Sequence, residues 1–324
     1  MNEILQVNNL KKYFPVKKSL REILSLTDQH YIKAVDDISF KVERGKVFVL
    51  AGESGSGKTT LARLILRAIE PDGGSIIFNG KDITKKTDNE LRKFRTNVQM
   101  IYQDPYTSLN PRMKIMDIVM EPLNVHDKNS SKTERKEKVL RSLDEVRLKP
   151  TEEIAEKFPH MLSGGQRQRV ALARSLVLVP KLIIADEPVS MLDVSVRAEI
   201  LEVMKNLKDK LQISYLYITH DLSTSRYIGD EIAIMYAGKI LEAGSIDRVL
   251  FHPVHPYTQA LIASLPSLER RGALAGIPGL APLLRDLPSG CAFHPRCTLA
   301  TDRCRTEKPK LRDIDGAQVA CHLA

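Results

Sequence analysis

The sequence VFVLAGESGSGKTT, residues 47–60, joins a strand-length apolar run to a glycine-rich turn and then to the start of a helix. Residues 47–51 are apolar throughout, as expected of a strand in the centre of a parallel sheet. Residues 52–60 match G-x-x-x-x-G-K-[ST] in full, and an apolar face at helical spacing follows them. Strand, turn and helix together predict a phosphate-binding loop in an α/β fold.

Each residue type in this loop has a role in holding phosphate groups. Glycines let successive backbone N–H groups turn inward, and the helix N-terminus adds a partial positive charge. Lys58 supplies a positive charge to the β and γ phosphates, and the Thr59 hydroxyl is placed to coordinate Mg²⁺. The predicted nucleotide contacts of the loop are Gly52, Glu53, Ser54, Gly55, Ser56, Gly57, Lys58, Thr59 and Thr60.

A second apolar strand, residues 182–185, ends in the carboxylates Asp186 and Glu187. Open α/β sheets bind ligands at the carboxyl ends of their strands. Asp186 is therefore expected to hold the water shell of the metal, and Glu187 to polarise the attacking water as general base. An exposed acidic pair after a core strand is common by itself, so this prediction depends on the phosphate loop upstream.

A second helix N-terminus with exposed backbone donors is predicted where residues 162–166 read LSGGQ. An apolar face at helical spacing follows this segment as well. Such a helix end is an anion site without a phosphate loop of its own. The chain therefore has two predicted anion-binding helix ends but only one phosphate-loop lysine.

The order of phosphate loop, LSGGQ segment and acidic strand end resembles the ATPase subunits of ATP-binding cassette (ABC) importers, in the dipeptide, oligopeptide and nickel group. The resemblance runs nearly end to end. It implies an α/β fold of the ABC-type P-loop ATPase class, with a mixed-sheet core, an antiparallel β subdomain, a helical subdomain and a small Cys-containing C-terminal extension. The implied boundaries are 1–252 for the ATPase domain, about 104–160 for its helical subdomain and 253–324 for the extension.

The resemblance also implies residue roles. Gln103 matches the glutamine that contacts the metal and senses the membrane partner, and His220 matches the histidine that contacts the γ-phosphate. Asp193 closes a segment that resembles the D-loop. The LSGGQ helix end would bind the nucleotide of an opposing subunit, so that ATP is sandwiched between two chains. Its contacts would be Ser163, Gly164, Gly165 and Gln166.

The aromatic residue that stacks on adenine is predicted to be Phe14, with Tyr13 as the alternative. Phe14 falls in the family position when counted from Leu10, and a shift of one residue selects Tyr13. Either ring could equally pack in the core of the first strand. Val189 and Met191 depart from the usual threonine and alanine of the family, which puts the fine geometry of the D-loop in question.

Hydrophobic patterning predicts strands alternating with helices, which favours a parallel sheet flanked by helices. The predicted strands lie at 3–8, 34–41, 47–51, 75–78, 98–102, 182–185 and 215–218. Residues 113–145 are predicted to be helical, with residues 129–131 as the cap of a charged helix from Lys132 to Glu145, and a further helix is predicted over residues 193–207. Residues 15–33 are read as an insertion in which Leu20, Ile23 and Leu24 have helical spacing.

Composition excludes several other classes of protein. No stretch approaches eighteen consecutive apolar residues, and the start lacks the pattern of a secretory signal. The net charge is +9, but the basic residues are spread out rather than gathered beside aromatics, so no nucleic-acid partner is expected. The resemblance implies a peripheral protein on the cytoplasmic face of the cell membrane.

All four cysteines lie in the implied extension: Cys291, Cys297, Cys304 and Cys321. Disulfides are not expected in the cytosolic protein that the resemblance implies. Turn-forming residues around them predict a segment that cannot bury much core and is ordered by a metal. Structural zinc normally uses C-x2–4-C pairs, so the wider gaps here favour a [4Fe–4S] cluster over zinc, and zinc over metal-free thiols. Residues 290–297 resemble the extension of peptide importers, some of which hold an iron–sulfur cluster.

The function implied by the resemblance is ATP hydrolysis that powers the import of dipeptides or oligopeptides. The implied partners are a second ATPase subunit (a copy or a paralogue), two transmembrane permeases that dock near residues 105–116, and, indirectly, an extracellular substrate-binding protein. Nickel or short oligosaccharides are alternative cargoes, because an ATPase subunit does not touch the cargo. An ABC protein acting on nucleic acid or ribosomes is disfavoured, since the chain has one cassette and no heptad run.

Overall fold

The computed structural model describes residues 2–16, 30–127, 129–264, 277, 279–280 and 282–324. The chain divides into two compact units. Unit 1 comprises Met1–Ile4, Val42–Val47 and Lys85–Ile218. Unit 2 comprises Leu5–Lys41, Phe48–Thr84 and Thr219–Ala324. Leu20, Ile23 and Leu24 of the predicted insertion lie outside the described residues.

The described residues form strands and helices in alternation. The strands are β1 Glu3–Pro15, β2 Tyr31–Glu43, β3 Val47–Ala51, β4 Gly73–Phe78, β5 Lys81–Asp82, β6 Val98–Ile101, β7 Leu182–Asp186, β8 Ser214–Thr219, β9 Glu231–Tyr236, β10 Lys239–Ser245, β11 Arg312–Ile314 and β12 Ala317–Val319. The α-helices are α1 Lys58–Ile65, α2 Asp88–Asn97, α3 Pro105–Ser108, α4 Ile115–His126, α5 Lys132–Glu145, α6 Thr151–Glu156, α7 Gly164–Leu176, α8 Val194–Leu211, α9 Leu222–Ile228, α10 Ile246–Phe251, α11 Pro256–Ala263 and α12 Asp302–Thr306. Short 3₁₀ turns span Pro159–Met161 and His294–Arg296.

Unit 2 contains an antiparallel sheet with the strand order β2-β1-β4-β5. β1 runs to Pro15, well beyond the predicted end at residue 8. A register shift between Asn8 and Lys11 lets β1 resume its pairing, with Lys11 opposite Gly73. The bulge interrupts the period-2 pattern, which is why the sequence did not reveal the second half of the strand.

A second sheet of unit 2 is mixed. β3 runs parallel to β9, whereas β9 and β10 are antiparallel, as are β10 and β12. β12 and β11 come from the C-terminal segment. Ala317, Val319 and Cys321 are buried there, with Val254 and Ile314 packed against them. The prediction that this segment cannot bury much core is therefore wrong, because its two strands extend a sheet that already has a core.

Unit 1 contains the parallel strands β6, β7 and β8. Ile101 pairs with Ala185, and Asp186 pairs with Ile218. Every residue of β7 is buried, as expected of a strand covered on both faces. Since parallel strands end at the same edge, the residues that follow β6 and β7 lie side by side.

The helical region predicted over residues 113–145 consists of the two helices α4 and α5, and α5 spans Lys132–Glu145 as predicted. Ser131 caps α5 by accepting a hydrogen bond from Glu134 N at 3.2 Å, while the Glu134 side chain accepts from Ser131 N at 2.6 Å. This capping box starts a new helix and confirms the predicted cap. The short helix α9 in unit 2 was missed, because only seven residues carry its pattern.

In the part of the chain that the structure describes, no helix combines the length and the apolar character required to cross a bilayer.

Candidate nucleotide site

Two glycines of the predicted phosphate loop, Gly52 and Gly57, are required by close contacts in unit 2. A Cβ atom on Gly52 would lie 2.1 Å from the carbonyl oxygen of Met235, and one on Gly57 would lie 2.0 Å from that of Ala34. Gly57 also has a φ of +105°, in the left-handed region that favours glycine. The loop therefore packs against backbone on two sides, which fixes its path from β3 into α1.

Lys58 lies inside this loop. Its side chain is 5% exposed, and its ammonium donates to Gly52 O at 2.7 Å and Glu53 O at 2.8 Å. It also donates to Ser56 Oγ at 3.4 Å. Thr59 is exposed at the start of α1, so its hydroxyl can be reached by a ligand. The lysine charge is thus held inside the loop that is predicted to bind the phosphates.

Glu53 makes contacts that the sequence did not predict. Its backbone N–H donates to Tyr257 Oη at 3.0 Å, and its carboxylate accepts from both terminal nitrogens of Arg296. Tyr257 and Arg296 belong to the C-terminal segment of unit 2. Arg296 lies in the stretch 290–297 that the sequence analysis singled out. Nothing in the sequence predicted that this arginine would contact the phosphate loop.

His220 is exposed on a tightly bonded turn at the end of β8. The residues on either side of it are joined, because Asp221 N donates to Thr219 Oγ1 at 2.9 Å. Asp221 then caps α9 by accepting from Ser223 N at 2.9 Å. These bonds fix the backbone at His220 and present its ring outside the sheet.

Gln103 and Glu187 lie together in unit 1. Each lies two residues beyond the paired residues Ile101 and Ala185, and Gln103 Nε2 donates to Glu187 Oε2 at 3.0 Å. The sequence predicted both residues as catalytic but did not predict this bond. A neutral amide donor holds the carboxylate without protonating it, which suits a general base.

Glu187 has an unusual backbone conformation. Its φ is +48°, a left-handed value rarely adopted by non-glycine residues, and its N–H donates to Ile218 O at 2.9 Å. Such conformations cost about 1–3 kcal/mol and persist where the surroundings enforce them, often at functional sites. Asp186, directly before it, is 5% exposed at the end of β7.

The LSGGQ segment forms the predicted helix end. Ser163 Oγ accepts from Gln166 N at 3.3 Å, and Gln166 Oε1 accepts from Ser163 N at 3.0 Å, a reciprocal cap of α7. A Cβ atom on Gly165 would lie 2.5 Å from Val196 Cγ1, so this glycine allows α7 to approach α8. Ser163 is exposed, as a contact surface for a ligand requires.

The D-loop residue Asp193 is the exposed N-cap of α8 and makes no capping bond through its side chain. Arg197 braces the loop, since its side chain donates to Leu192 O at 2.7 Å and to Ser190 O at 3.2 Å. Met191, the departure from alanine, is 62% exposed. Its side chain therefore leaves the path of the loop undisturbed.

The two candidates for the adenine-stacking residue differ in how they are held within unit 2. Tyr13 Oη donates to Asp36 Oδ1 at 2.6 Å, which ties its ring to β2. The Lys12 ammonium lies 5.5 Å from the centre of the Phe14 ring. Successive strand residues face opposite sides of a sheet, so only one of the two rings can face a given ligand. The choice of Phe14 stays a prediction.

The four cysteines are free and line one small cavity together with His255 and His294. Burial, with a smaller contribution from the neighbouring thiols, raises the pKa of Cys291 to about 11. Burial also raises the pKa of Cys297. Among the described residues, no group of three or more His, Cys, Asp or Glu side chains is arranged to hold a metal ion.

Comparison with known proteins decides the family. Residues 35–190 match the family described as ABC transporter, and residues 241–304 match the family described as oligopeptide/dipeptide transporter, C-terminal region. The chain is 44% identical over 322 residues to the dipeptide transport ATP-binding protein DppF of Haemophilus influenzae, covering 98% of this chain and 96% of that protein. The chain belongs to the ATP-binding subunits of ABC transporters.

Further relatives of this ABC ATPase support the same family. It is 42% identical over 326 residues to the oligopeptide transport ATP-binding protein AppF of Bacillus subtilis, covering 99% of this chain and 97% of that protein. It is 43% identical over 321 residues to DppF of Escherichia coli, covering 98% of this chain and 93% of that protein. The resemblance drawn from the sequence is therefore confirmed.

Solved structures confirm the fold. A dimeric structure of the ATP-binding cassette MJ0796, bound to ADP and Pi, is 26% identical, with a TM-score of 0.65 over 75% of this chain and 98% of that one. CbiO1 from Clostridium perfringens is also 26% identical, with a TM-score of 0.66 over 78% of this chain and 92% of that one. The predicted α/β ABC ATPase fold, with its mixed and antiparallel sheets, is confirmed, and the chain is an ATPase.

Proposed function

We propose that this ABC ATPase hydrolyses ATP to power the import of dipeptides and oligopeptides through a membrane transporter. The cargo is supported by relatives named for dipeptide and oligopeptide transport that match almost the whole chain. The observation that carries the hydrolytic role is the bond between Gln103 Nε2 and Glu187 Oε2 at 3.0 Å. This bond orients the Glu187 carboxylate at the edge of a parallel sheet, where such folds bind their ligands.

Each residue of the proposed nucleotide site has its own role in ATP hydrolysis. The backbone N–H groups of residues 52–60 and the Lys58 ammonium bind the phosphates, and His220 contacts the γ-phosphate. Glu187 accepts a proton from the attacking water, whose oxygen bonds to the γ-phosphorus as the bond to the ADP oxygen breaks. Mg²⁺ would be held by oxygen donors of Thr59, Asp186 and Gln103 and would neutralise phosphate charge when bound. The exposed Thr59 hydroxyl and the Asp186 carboxylate are the hard ligands that this ion prefers.

A second ATPase subunit, a copy or a paralogue, completes the site. MJ0796, whose cassette fold this chain shares, was solved as a dimer with ADP and Pi. The reciprocal cap at Ser163 leaves the first backbone N–H groups of α7 directed outward, and these are donors for an anion. We propose that they bind the nucleotide held by the opposing loop, together with the D-loop residue Asp193.

Two transmembrane permeases are the proposed docking partners, at the cytoplasmic face of the membrane. An extracellular substrate-binding protein would act through them. Tyr102 and Tyr106, which flank Gln103, are 53% and 59% exposed. The Arg167 guanidinium lies 4.4 Å from the Tyr106 ring centre, a cation–π contact that joins the segment 105–116 to the LSGGQ helix. A permease that presses on this segment would therefore move α7.

Transport provides the test of this function. We expect a strain that lacks its peptide ATPase to regain dipeptide uptake when it produces this chain with its permeases. The Lys58→Ala chain should restore less than about a tenth of that uptake, because the phosphates lose their charged contact. Radiolabelled dipeptide, nickel and a short oligosaccharide would be compared in the same cells. Uptake of nickel or sugar without dipeptide would contradict the cargo.

A [4Fe–4S] cluster on Cys291, Cys297, Cys304 and Cys321 is the second proposal. Four free cysteines around one cavity support it. Among the described residues no group of three or more His, Cys, Asp or Glu side chains is arranged to hold a metal ion. The preference for a cluster over zinc therefore rests on the sequence spacing, since the gaps between the cysteines are wider than the C-x2–4-C pairs of structural zinc.

His255 adds a chemical argument for the cluster. Its Nδ1 accepts from Tyr257 N at 3.0 Å, and burial lowers the pKa of the ring to about 4, so Nε2 carries the only proton. This Nε2–H is buried without a hydrogen-bond partner among the described residues, in the cavity that the cysteines line. An orphaned donor there would be satisfied by a cluster sulfur.

Metal analysis tests the cluster. Anaerobically purified protein should contain about four irons per chain and show a broad visible absorbance. Serine variants of each cysteine should lose most of that iron. The Thr301→Val variant, which removes only a hydroxyl 3.3 Å from Cys304 Sγ, should keep it. Zinc without iron in the wild-type protein would contradict the proposal.

A further inference from the structure

The carboxylate of Glu53 in the phosphate loop is bound by an arginine of the C-terminal segment. Arg296 Nη1 donates to Glu53 Oε2 at 2.7 Å, and Nη2 donates to Oε1 at 3.1 Å. The side chains are only 7% and 26% exposed, respectively. A bidentate pair of this kind fixes the direction of both side chains and is less screened by water than a surface pair.

The backbone of Glu53 is held from both sides. Its N–H donates to Tyr257 Oη at 3.0 Å, and its carbonyl accepts from the Lys58 ammonium at 2.8 Å. Tyr257 lies in α11, near the start of the C-terminal segment. One residue of the loop therefore contacts the phosphate-binding lysine on one side and the C-terminal segment on the other.

Arg296 is itself positioned by aromatic residues. Its guanidinium lies 5.9 Å from the Tyr236 ring centre, and Nη1 donates to Tyr236 Oη at 3.4 Å. The rings of Phe293 and Tyr236 make an edge-to-face contact with their centres 5.4 Å apart. The centre of the Phe293 ring also lies 5.2 Å from that of Tyr257. Residues 293 and 296 both lie between Cys291 and Cys297. The fold of the cysteine segment thus determines where the arginine points.

Charge gives this contact a consequence for nucleotide binding. A carboxylate in a loop that binds polyphosphate repels the ligand unless a cation neutralises it. An arginine guanidinium is charged at every physiological pH, and its two hydrogen bonds hold it against the Glu53 carboxylate. Arg296 therefore offsets the Glu53 charge and prevents the side chain from turning toward the phosphates.

We propose that Arg296 is a positioning residue of the nucleotide site, through which the folded C-terminal segment sets the affinity of the phosphate loop. It orients the Glu53 carboxylate and offsets its charge, and it acts on the phosphate loop through Glu53. This inference rests on the proposed role of residues 52–60 in binding the phosphates of ATP.

A double-mutant cycle on the full-length chain tests the inference. Arg296→Ala, Glu53→Gln and the double variant would be titrated with Mg-ADP by calorimetry, and their ATP hydrolysis followed by phosphate release. Arg296→Ala should weaken ADP binding and raise KM for ATP about tenfold, with kcat changed less than about twofold. The double variant should return to within about threefold of wild type, because the repelling carboxylate is gone.

Matched variants separate this effect from loss of folding. Arg303→Ala removes another arginine of the same segment, paired with Glu307 at 2.8 Å and 63% exposed, and should bind ADP like wild type. Arg296→Lys retains the charge without the two-bond geometry and should show a smaller loss, about threefold. If Arg296→Ala fails to fold, the same test can be made with the lysine variant. Arg296→Lys is then compared with the double variant that combines Arg296→Lys and Glu53→Gln.

Two results would overturn the inference: unchanged ADP affinity in Arg296→Ala, or a loss that persists undiminished in the double variant. The proposed function fails separately. If Lys58→Ala keeps the ADP affinity of wild type, residues 52–60 do not bind the phosphates, whatever Arg296 does.

Discussion

Replacing Glu187 with glutamine is expected to lower ATP turnover by roughly 10²–10⁴-fold, the usual contribution of a general base. Glutamine has nearly the same shape and can keep both the φ of +48° and a hydrogen bond to Gln103. It cannot accept the proton of the attacking water. ATP binding should therefore survive, and because hydrolysis no longer releases it, ATP should hold two subunits together.

Phosphate release would measure the turnover, and size-exclusion chromatography with Mg-ATP would report the dimer. Glu202→Gln is the matched control, since Glu202 lies in the same unit but pairs with Arg147 in an exposed ion pair. It should leave both measurements unchanged. Turnover near the wild-type rate in Glu187→Gln would refute the general-base role.

Replacing Gly57 with alanine is expected to weaken nucleotide binding by roughly a hundredfold. A left-handed backbone costs a non-glycine residue about 1–2 kcal/mol. Overpacking adds about 1–3 kcal/mol, because the new Cβ would lie 2.0 Å from Ala34 O and 2.8 Å from Met235 Cε. The carbonyl of Ala34 belongs to β2 and cannot move freely. The loop must therefore shift away from its binding shape.

Gly80→Ala supplies the control for the conformational part of this effect. Gly80 has a φ of +74°, in the hairpin between β4 and β5, and a Cβ there meets nothing within 4 Å. Its variant should lose some stability and keep its affinity for Mg-ADP. Calorimetry would give the affinity, and circular dichroism would confirm folding. Equal losses of affinity in the two variants would contradict the role of the Ala34 contact.

The site was largely predictable because its residues follow local rules. A loop of the form G-x-x-x-x-G-K-[ST] between an apolar strand and a helix has few other uses, and the helix start at Ser163 depends on its own cap. The capping residue Ser131 was found for the same reason. These features each involve neighbours within a few positions of the chain.

The features that could not be predicted from the sequence depend on contacts between residues that lie far apart in the chain. Arg296 and Glu53 are 243 positions apart, and only folding brings them into contact. The strands β11 and β12 are three residues each, too short to show a period, and they exist because β10 offers an edge. The left-handed backbone at Glu187 follows from a bond to another strand rather than from the residue type.

The bonds made by Lys58 bear on how the loop can hold a charged ligand. The ammonium donates to two carbonyls of its own loop, so the backbone fixes the position of the positive charge. Ordering a long, flexible side chain costs conformational entropy. Because that ordering is already made within the loop, binding of a phosphate need not supply it.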